Sequence, residues 1–338
     1  MSTQAAAPPA APRTPRPRRG GLNARHGVWS IWLIGPTMVL LAIVIGYPVV
    51  SAVIQSFQSD PGLDKATGMF VQGGFAGLTN YIHWLFQSCN AAGGGQTACP
   101  PGSLGASFWT SVGNTFFFSA VTVVLETVLG LWMAIIMNRA FRGRALVRAA
   151  VLVPWAIPTA VTAKLWFFIF AAGGILNSII GQQILWTSDV WPARFAIVIA
   201  DVWKTTPFMA LLILAGLQLI PEEVYEAARV DGASTVQQFF RITLPLIRPA
   251  LMVAVLFRVL DALRMYDLPA ILTNGGPGDA TSTLSILVVG QIRQGFNAAS
   301  ALSTITFLII FLVAFVFVRF LGANVVRTQA AQQKGELQ

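Results

Sequence analysis

Six stretches of the sequence are apolar over at least the roughly 20 residues that an α-helix needs to cross the hydrocarbon core of a bilayer. In chain order they are Trp29–Phe57, Phe108–Asn138, Ala145–Ala171, Ala193–Ile220, Leu246–Thr273 and Ala299–Leu321. The third and fifth contain charges and prolines, so the pattern defines their ends less sharply. The sequence therefore predicts an all-α integral membrane protein with six transmembrane helices.

The composition supports this prediction. Of the 338 residues, 55% are hydrophobic and only 10% are charged, whereas a soluble domain carries roughly 25% charged residues. The formal net charge is +9, from 22 basic and 13 acidic residues. This excess lies in short loops and in a Pro/Ala-rich tail, a distribution typical of membrane topology signals and not of a nucleic-acid-binding surface.

Basic residues are concentrated in alternate loops, which predicts the orientation of the chain in the cell membrane. The loops on one side, together with the C-terminal segment, contain Arg139, Arg142, Arg144, Arg148, Arg229, Arg241, Arg248, Arg319, Arg327 and Lys334. The loops on the other side contain only Lys65 and Arg293. By the positive-inside rule, both termini are expected in the cytoplasm of a multi-pass protein.

The segments outside the apolar core differ in composition. Residues 1–27 are rich in Pro, Ala and Arg and have no apolar run, which predicts a disordered cytoplasmic tail and not a signal peptide. Residues 28–325 form the expected transmembrane domain, and residues 326–338 form a second cytoplasmic tail.

The Gly-rich outer loop, residues 58–107, contains both cysteines of the chain. Cys89 and Cys99 could form a disulfide outside the membrane or remain as two free thiols, and the disulfide is favoured because neither has another partner. In the same loop, Phe75–Phe86 has apolar residues at helical spacing, which predicts a helix lying along the outer membrane interface.

Several kinds of chemistry are missing. The sequence has no G-x-x-x-x-G-K-[ST] phosphate-binding loop, so ATP binding by that motif is excluded. The two histidines, His26 in the tail and His83 in the outer loop, lie outside the apolar stretches, which excludes a membrane-embedded Ser-His dyad or H-E-x-x-H metal site. We therefore expect neither an enzyme nor a metal or cofactor site in this chain.

The cytoplasmic loop Pro221–Pro249 is predicted to form a helix-turn-helix. Pro221 suits the first turn of a helix, and the carboxylates of Glu222 and Glu223 favour the positive end of its dipole. This first helix is expected to extend through Val230 and to present small alanine side chains to a partner.

Gly232 then permits a sharp reversal, and Ser234 with Gln237 forms a capping box that starts a second helix, which is expected to end at Arg241. Pro245 suits the return to the membrane. From these residues alone, an amphipathic connector resting on the membrane is about equally compatible with the pattern.

The residues of this loop resemble a known motif. Glu226-Ala227-Ala228, Gly232 and Ile242-x-Leu244-Pro245 match, at the same spacing, the EAA loop of permeases in binding-protein-dependent ABC importers. The resemblance implies the type I importer (MetI-like) permease fold. It also implies that the loop docks on a separate ATPase subunit through Glu226, Ala227, Ala228, Gly232, Leu244 and Pro245, with the glutamate and the glycine central to the contact.

Two further segments resemble permeases for carbohydrate uptake. Thr273–Pro277 is similar to their T-x-G-G-P turn, and Gly77-Leu78-x-Asn80-Tyr81 is similar to a signature of their first loop. The resemblance covers the chain from about Trp29 to Leu321. It implies a second permease subunit, two ATPase subunits that bind ATP and Mg²⁺, and an extracellular substrate-binding protein as partners.

Charged residues within the apolar stretches are few, and each costs about 2.5–3.5 kcal/mol to insert. Away from the ends of the stretches they are Glu126, Lys164, Asp201, Lys204, Arg258, Asp261, Arg264 and Asp267. We interpret Glu126 and Lys164 as members of ion pairs between packed helices. In the fourth and fifth stretches the signs alternate at i, i+3, so neighbours can partly neutralise each other, and we interpret these clusters as a cavity lining. Pro207 is predicted to break the fourth helix beside that cavity.

The stretch Ala200–Met209 (ADVWKTTPFM) is similar to the N-x-W-x-x-x-P-aromatic segment that lines the sugar site of maltose-type permeases, although Asp201 replaces the asparagine. Together with Leu256–Ala262, it most resembles trehalose-type permeases. The resemblance and the charges give a predicted substrate set of Asp201, Lys204, Thr205, Phe208, Arg258, Asp261 and Arg264.

The sequence thus favours the permease subunit of an ATP-driven importer for a disaccharide such as trehalose or a maltose-like sugar. The alternative is an ion-coupled secondary transporter that uses Asp201, Asp261 or Asp267 as proton carriers. That alternative explains the carboxylates at membrane depth but gives no reason for the complete EAA pattern.

Overall fold

The computed structural model describes Trp32 and residues 34–63, 69–90 and 96–319. The predicted tails, residues 1–27 and 326–338, lie outside these residues, as do Lys65, Arg327 and Lys334. In chain order the helices are α1 Ile34–Gln55, α2 Thr79–Leu85, α3 Phe108–Asn138, α4 Arg144–Ala156, α5 Thr159–Ile169, α6 Ile175–Ile180, α7 Val190–Leu217, α8 Glu222–Val230, α9 Thr235–Ala262, α10 Asp267–Leu272, α11 Leu284–Ile292 and α12 Phe296–Phe317.

The predicted six spans are confirmed. Among the described residues, α1, α3, α7, α9 and α12 are each long and apolar enough to cross a membrane. Helices α4 and α5 form the sixth span as a broken pair, bent by 89°. The break lies at Ile157, which is extended (φ −72°, ψ 132°) because the following Pro158 disfavours the helical region.

The position of this break corrects the prediction for Pro207. Helix α7 continues through Pro207, which is buried inside it. Transmembrane helices tolerate proline where neighbouring groups satisfy the freed backbone. The broken backbone therefore lies in the third span and not in the fourth.

The fifth span also differs from the prediction. Helix α9 begins at Thr235 in the cytoplasmic loop and continues to Ala262 without the expected end at Arg241. A π-helical turn at Phe239–Thr243 precedes Pro245, which lies in the first turn of the following α-helical segment, where its missing N–H is tolerated. The second cytoplasmic helix and the fifth span are thus a single helix.

Helices α3, α7 and α9 pack closely through two glycines. A Cβ atom placed on Gly130 of α3 would lie 2.9 Å from the Cβ of Met209 on α7. One placed on Gly216 of α7 would lie 2.5 Å from the Cβ of Ala250 on α9. Neither glycine leaves room for a side chain, so larger residues would force these helices apart.

The outer loop carries two short antiparallel hairpins, Gly62–Leu63 with Phe70–Val71 and Ser88–Asn90 with Gln96–Ala98. A disulfide joins Cys89 to Cys99 across the base of the second hairpin.

Helix α2 forms within the segment predicted to be helical, and part of it packs on α12. Trp84 is fully buried, and its indole Nε1 donates to the carbonyl of Ala298 in α12, 3.0 Å away. Asp60 accepts hydrogen bonds from the backbone amides of Asn297 and Ala298 at the start of α12. One face of α2 therefore packs on protein, and its placement along the membrane interface stays a prediction.

The outer end of α3 holds the segment Thr273–Thr283 through a set of hydrogen bonds, here called the outer clasp. Asn114 Nδ2 donates to the carbonyls of Asp279 (2.7 Å) and Ser282 (3.0 Å). The hydroxyls of Ser111 and Ser282 are 3.1 Å apart. On the other side, Arg194 of α7 donates to Asn114 Oδ1 at 3.0 Å. The outer clasp thus fixes this segment to two spans.

Candidate functional site

The loop between α7 and α9, predicted to be cytoplasmic, has the predicted local geometry. Gly232 ends the turn after α8 with φ +74°, the left-handed region that favours glycine. A Cβ there would meet nothing within 4 Å, so the backbone angle alone selects this residue. Ser234 and Gln237 form the reciprocal capping box, with the Ser234 amide donating to Gln237 Oε1 at 2.9 Å.

The predicted coupling residues divide between two faces of the loop. Glu226, Ala227, Gly232 and Pro245 are exposed, whereas Leu244 is half-buried. Ala228 is buried, which corrects the expectation that both alanines face a partner.

One contact inside the loop ties its two arms together. The Tyr225 hydroxyl lies 3.1 Å from the hydroxyl of Thr243 on α9. This contact joins α8 to α9, and the face of α8 opposite Tyr225 remains exposed.

Three large apolar side chains that the motif does not contain are also exposed on this loop. Val230 is 87% exposed, Val236 66% and Phe240 61%. We call these three residues the apolar tip. Exposed large apolar side chains of this kind are candidates for a protein–protein contact. The sequence signal for them is the presence of apolar residues at these three positions of α8 and α9.

A buried ion cluster lies within the spans and joins three helices. Glu126 of α3, Asp201 of α7 and Arg258 of α9 are 0%, 6% and 2% exposed. Arg258 pairs with Glu126 through both Nε and Nη2, and its Nη2 is 3.0 Å from Glu126 Oε1. The same Nη2 also contacts Asp201 Oδ2. The paired fork of bonds to Glu126 is the strong bidentate arrangement of guanidinium and carboxylate.

Further polar groups complete the ion cluster. The Thr205 hydroxyl donates to Glu126, and Arg258 Nη2 lies 3.4 Å from the Thr122 hydroxyl. Arg258 Nη1 donates to Asp261 Oδ2 at 3.1 Å, and this carboxylate is 67% exposed. One guanidinium therefore satisfies two buried carboxylates and reaches a third at the edge of the cluster.

The ion cluster settles several predicted pairings. The interpretation of Glu126 as a packing ion pair is confirmed. Lys164 is exposed, lies over the ring of Phe167 and has no carboxylate within 4.0 Å among the described residues, so the pair predicted for it is not formed there.

Asp201 and Lys204 do not pair with each other as predicted. Asp201 pairs with Arg258, and Lys204 Nζ donates to the Ile157 carbonyl at 2.6 Å. That carbonyl lies at the end of α4, where helix carbonyls lack partners and a cation is favoured. Lys204 thus links α7 to the break in the third span.

The predicted substrate residues separate into a buried group and an exposed or half-buried group. Asp201, Lys204 and Arg258 are buried and bonded to other groups, so they do not line an open cavity in this conformation. Asp261 and Arg264 are exposed, and with Asp267 they follow i, i+3 spacing along α9 and α10.

The two remaining residues of the predicted substrate set, Thr205 and Phe208, are on α7. Phe208 of α7 is half-buried and stacks on Trp155 of α4, with ring centroids 5.8 Å apart and planes 17° apart. Thr205 is likewise half-buried. Thr205 also belongs to the edge of the ion cluster, through its bond to Glu126.

Comparison with known proteins gives consistent results. Residues 126–328 match the family described as the binding-protein-dependent transport system inner membrane component. The chain is 47% identical over 218 residues to the trehalose/maltose transport system permease protein MalF of Thermococcus litoralis, which covers 63% of this chain and 74% of that protein. It is 37% identical over 297 residues to the trehalose transport system permease protein SugA of Mycobacterium tuberculosis. This match covers 87% of this chain and 89% of that protein.

The fold is similar to a solved structure of a bacterial ABC transporter involved in the import of the acidic polysaccharide alginate. The TM-score is 0.68 at 19% identity, covering 87% of this chain and 96% of that one. This likeness shows the fold, and the sequence matches show the family. The chain belongs to the inner membrane component family of binding-protein-dependent transport systems, as a multi-pass permease subunit and not an enzyme.

Proposed function

We propose that this chain is one of two permease subunits of an ATP-driven importer for a disaccharide, trehalose or a maltose-like sugar. The observation that carries the proposal is the geometry of the loop Pro221–Pro249, here called the coupling loop. Glu226 and Gly232 are exposed on a capped, sharply reversed loop between two spans, in a chain whose relatives are named as trehalose permeases.

The partners follow from this role. The coupling loop docks on one of two separate ATP-binding subunits, which hold ATP and Mg²⁺, and the apolar tip adds desolvated contact area at that interface. Cargo arrives from an extracellular binding protein. A similar solved importer of alginate is described in complex with a pentasaccharide-bound periplasmic protein, which supports this arrangement.

The orientation and the division of the chain are part of the same proposal. The transmembrane domain spans residues 28–325 in the cell membrane, with residues 58–107 outside and residues 221–249 in the cytoplasm. The tails, residues 1–27 and 326–338, lie in the cytoplasm. The alternation of basic residues between successive loops supports this placement.

For the cargo site, we assign the contacts to the exposed and half-buried members of the predicted set. Asp261 and Arg264 offer charged groups that bind sugar hydroxyls with charge-assisted hydrogen bonds. Thr205 offers a hydroxyl, and Phe208 offers a half-buried ring that stacks on Trp155. Asp201, Lys204 and Arg258 lie behind this face, and Arg258 holds Asp261 in place.

The mechanism couples the loop to the spans. Closure of the ATPase dimer on ATP would pull the two coupling loops of the permease pair together, and hydrolysis would release them. The spans α7 and α9, which enter and leave the loop, carry that motion to the cargo path. The rival ion-coupled mechanism loses support because Asp201 and Asp261 both contact Arg258, which gives them a role in packing.

The test is uptake of labelled trehalose by the full complex in proteoliposomes. We expect uptake to require ATP and the binding protein and to survive a protonophore. Uptake that needs a proton gradient and continues without the ATPase subunits would overturn the proposal.

A substitution in the coupling loop sharpens this test. We expect Gly232→Asp to reduce uptake to background and to weaken ATPase binding, because it places a charged side chain at the docking turn. Gly181→Asp is the matched control, since Gly181 has φ +73° and equally open surroundings on the opposite loop side. Equal uptake in the two variants would count against the coupling assignment.

A further inference from the structure

Helices α7 and α9 are the two spans that flank the coupling loop, and the ion cluster joins them at a distance from it. Asp201 lies 16 residues before the end of α7 at Leu217, which is about 24 Å at the helical rise of 1.5 Å per residue. Arg258 lies 14 residues after Leu244, where the α-helical part of α9 begins, which is about 21 Å. The two partners therefore meet at a similar depth above the loop.

A second attachment between the same two helices lies nearer the loop. Gly216 of α7 meets Ala250 of α9 in contact too close for any side chain. Ala250 and Arg258 are eight residues apart, which is about 12 Å along α9. Two helices joined at one level can pivot about it, whereas helices joined at two separated levels cannot.

The ion cluster also adds α3 to this unit. Glu126 binds Arg258 on α9 and accepts a hydrogen bond from Thr205 on α7. Four residues further along α3, Gly130 packs against Met209 of α7. The fork of bonds from Arg258 to Glu126 fixes the guanidinium in the one orientation in which it also reaches Asp201 and Asp261.

We propose that Arg258, oriented by the positioning residue Glu126, locks α3, α7 and α9 into one rigid body that transmits the movement of the coupling loop to the cargo face. This inference rests on the proposed importer function and names the residues that make its energy coupling efficient. Without the lock, ATP-driven movement of the loop would be absorbed by pivoting between α7 and α9.

The energetics favour a lock over a weak adjustable contact. A neutral hydrogen bond between membrane helices contributes only about 0.6 kcal/mol on average, so such a contact opens easily. A buried guanidinium cannot leave its carboxylates without leaving uncompensated charges in a medium of low dielectric constant. The three helices are therefore held in one arrangement throughout the movement.

The experiment compares ATP hydrolysis with uptake in the reconstituted complex. The first variant is Glu126→Gln. The second is the triple variant Glu126→Gln, Asp201→Asn, Arg258→Gln, which removes every buried charge of the ion cluster and so leaves none unpaired. The control is Thr127→Val on the same helix, because the Thr127 hydroxyl bonds only within α3, to the Val123 carbonyl.

In both cluster variants we expect ATP hydrolysis stimulated by loaded binding protein to stay within about twofold of wild type. Maximal uptake should fall at least tenfold, so the ATP consumed per sugar should rise at least tenfold. The concentration of loaded binding protein that gives half-maximal uptake should change less than twofold, since delivery of cargo is unaffected. Thr127→Val should keep the wild-type ratio.

Three outcomes would overturn the lock. The first is a wild-type value of ATP consumed per sugar in the triple variant. The second is a parallel fall of uptake and ATP hydrolysis, and the third is failure of both variants to assemble. The last two indicate a packing role only. The proposed function fails separately, because its failure appears in the wild-type complex as absence of ATP-driven uptake, and the lock then falls with it.

Discussion

The ion cluster and the outer clasp are two polar centres on the same helix, α3, and they are built from different chemistry. Glu126 and Asn114 are 12 residues apart, about 18 Å along the helix. The ion cluster joins charged side chains of three spans. The outer clasp joins polar side chains, among them Asn114 and the cation of Arg194, mainly to backbone carbonyls of one loop segment, and it contains no ion pair among the described residues.

The difference reflects what each centre holds. Backbone groups of a loop inside or near the membrane need fixed hydrogen-bond partners, and amide and hydroxyl side chains supply them at modest cost. Spans that move together need contacts that resist shear, and buried ion pairs resist separation strongly. Buried ion pairs therefore join the three spans, and hydrogen bonds without an ion pair fix the loop segment.

The largest effect is expected from Arg258→Gln. This variant leaves Glu126 and Asp201 buried without their cation, and breaking a buried pair in this way costs about 3–5 kcal/mol. We expect low yield of the assembled complex and a large fall in its thermal unfolding midpoint in detergent. The triple variant described above should recover most of that midpoint, since no unpaired charge remains. Equal midpoints for the single and triple variants would contradict the electrostatic account.

A smaller effect is expected from Asn114→Ala in the outer clasp. The substitution removes donors to two carbonyls, and unsatisfied buried groups cost about 1–3 kcal/mol. We expect a lower unfolding midpoint with an unchanged ratio of ATP to sugar, because the outer clasp does not join the helices that flank the coupling loop. If this variant consumed more ATP per sugar than the wild type, the ion cluster and the outer clasp would not differ in function.

The local features of the fold could be predicted from the sequence. The positive φ of Gly232 and the Ser234–Gln237 capping box depend on residues close together in the chain. The spans depend on apolar length alone. Each of these follows from rules that act over a few residues or over one helix.

The pairings of the ion cluster could not be predicted, because Glu126 and Arg258 are 132 residues apart. Spacing along one helix favoured Asp201 with Lys204, and the fold instead brought Arg258 to Asp201. The prolines show the same limit. Pro158 follows the helix break and Pro207 lies inside a continuous helix, since their neighbours in the folded protein decide which backbone groups are satisfied.

The smallest effects come from a matched pair of hydroxyl deletions that isolates the role of charge. Ser111→Ala removes a hydroxyl paired with the Ser282 hydroxyl, and we expect a loss of about 0.6 kcal/mol, the average for such bonds in membrane proteins. Thr205→Val removes a hydroxyl that contacts the Glu126 carboxylate and also lies 2.6 Å from the Asp201 carbonyl of its own helix. Hydrogen bonds to ionised groups are roughly twice as strong as neutral ones, so the fall in unfolding midpoint should be about twice as large. If the two variants lose the same stability, the carboxylate adds nothing at this position, and the difference between the two centres lies in their geometry and not in their charge.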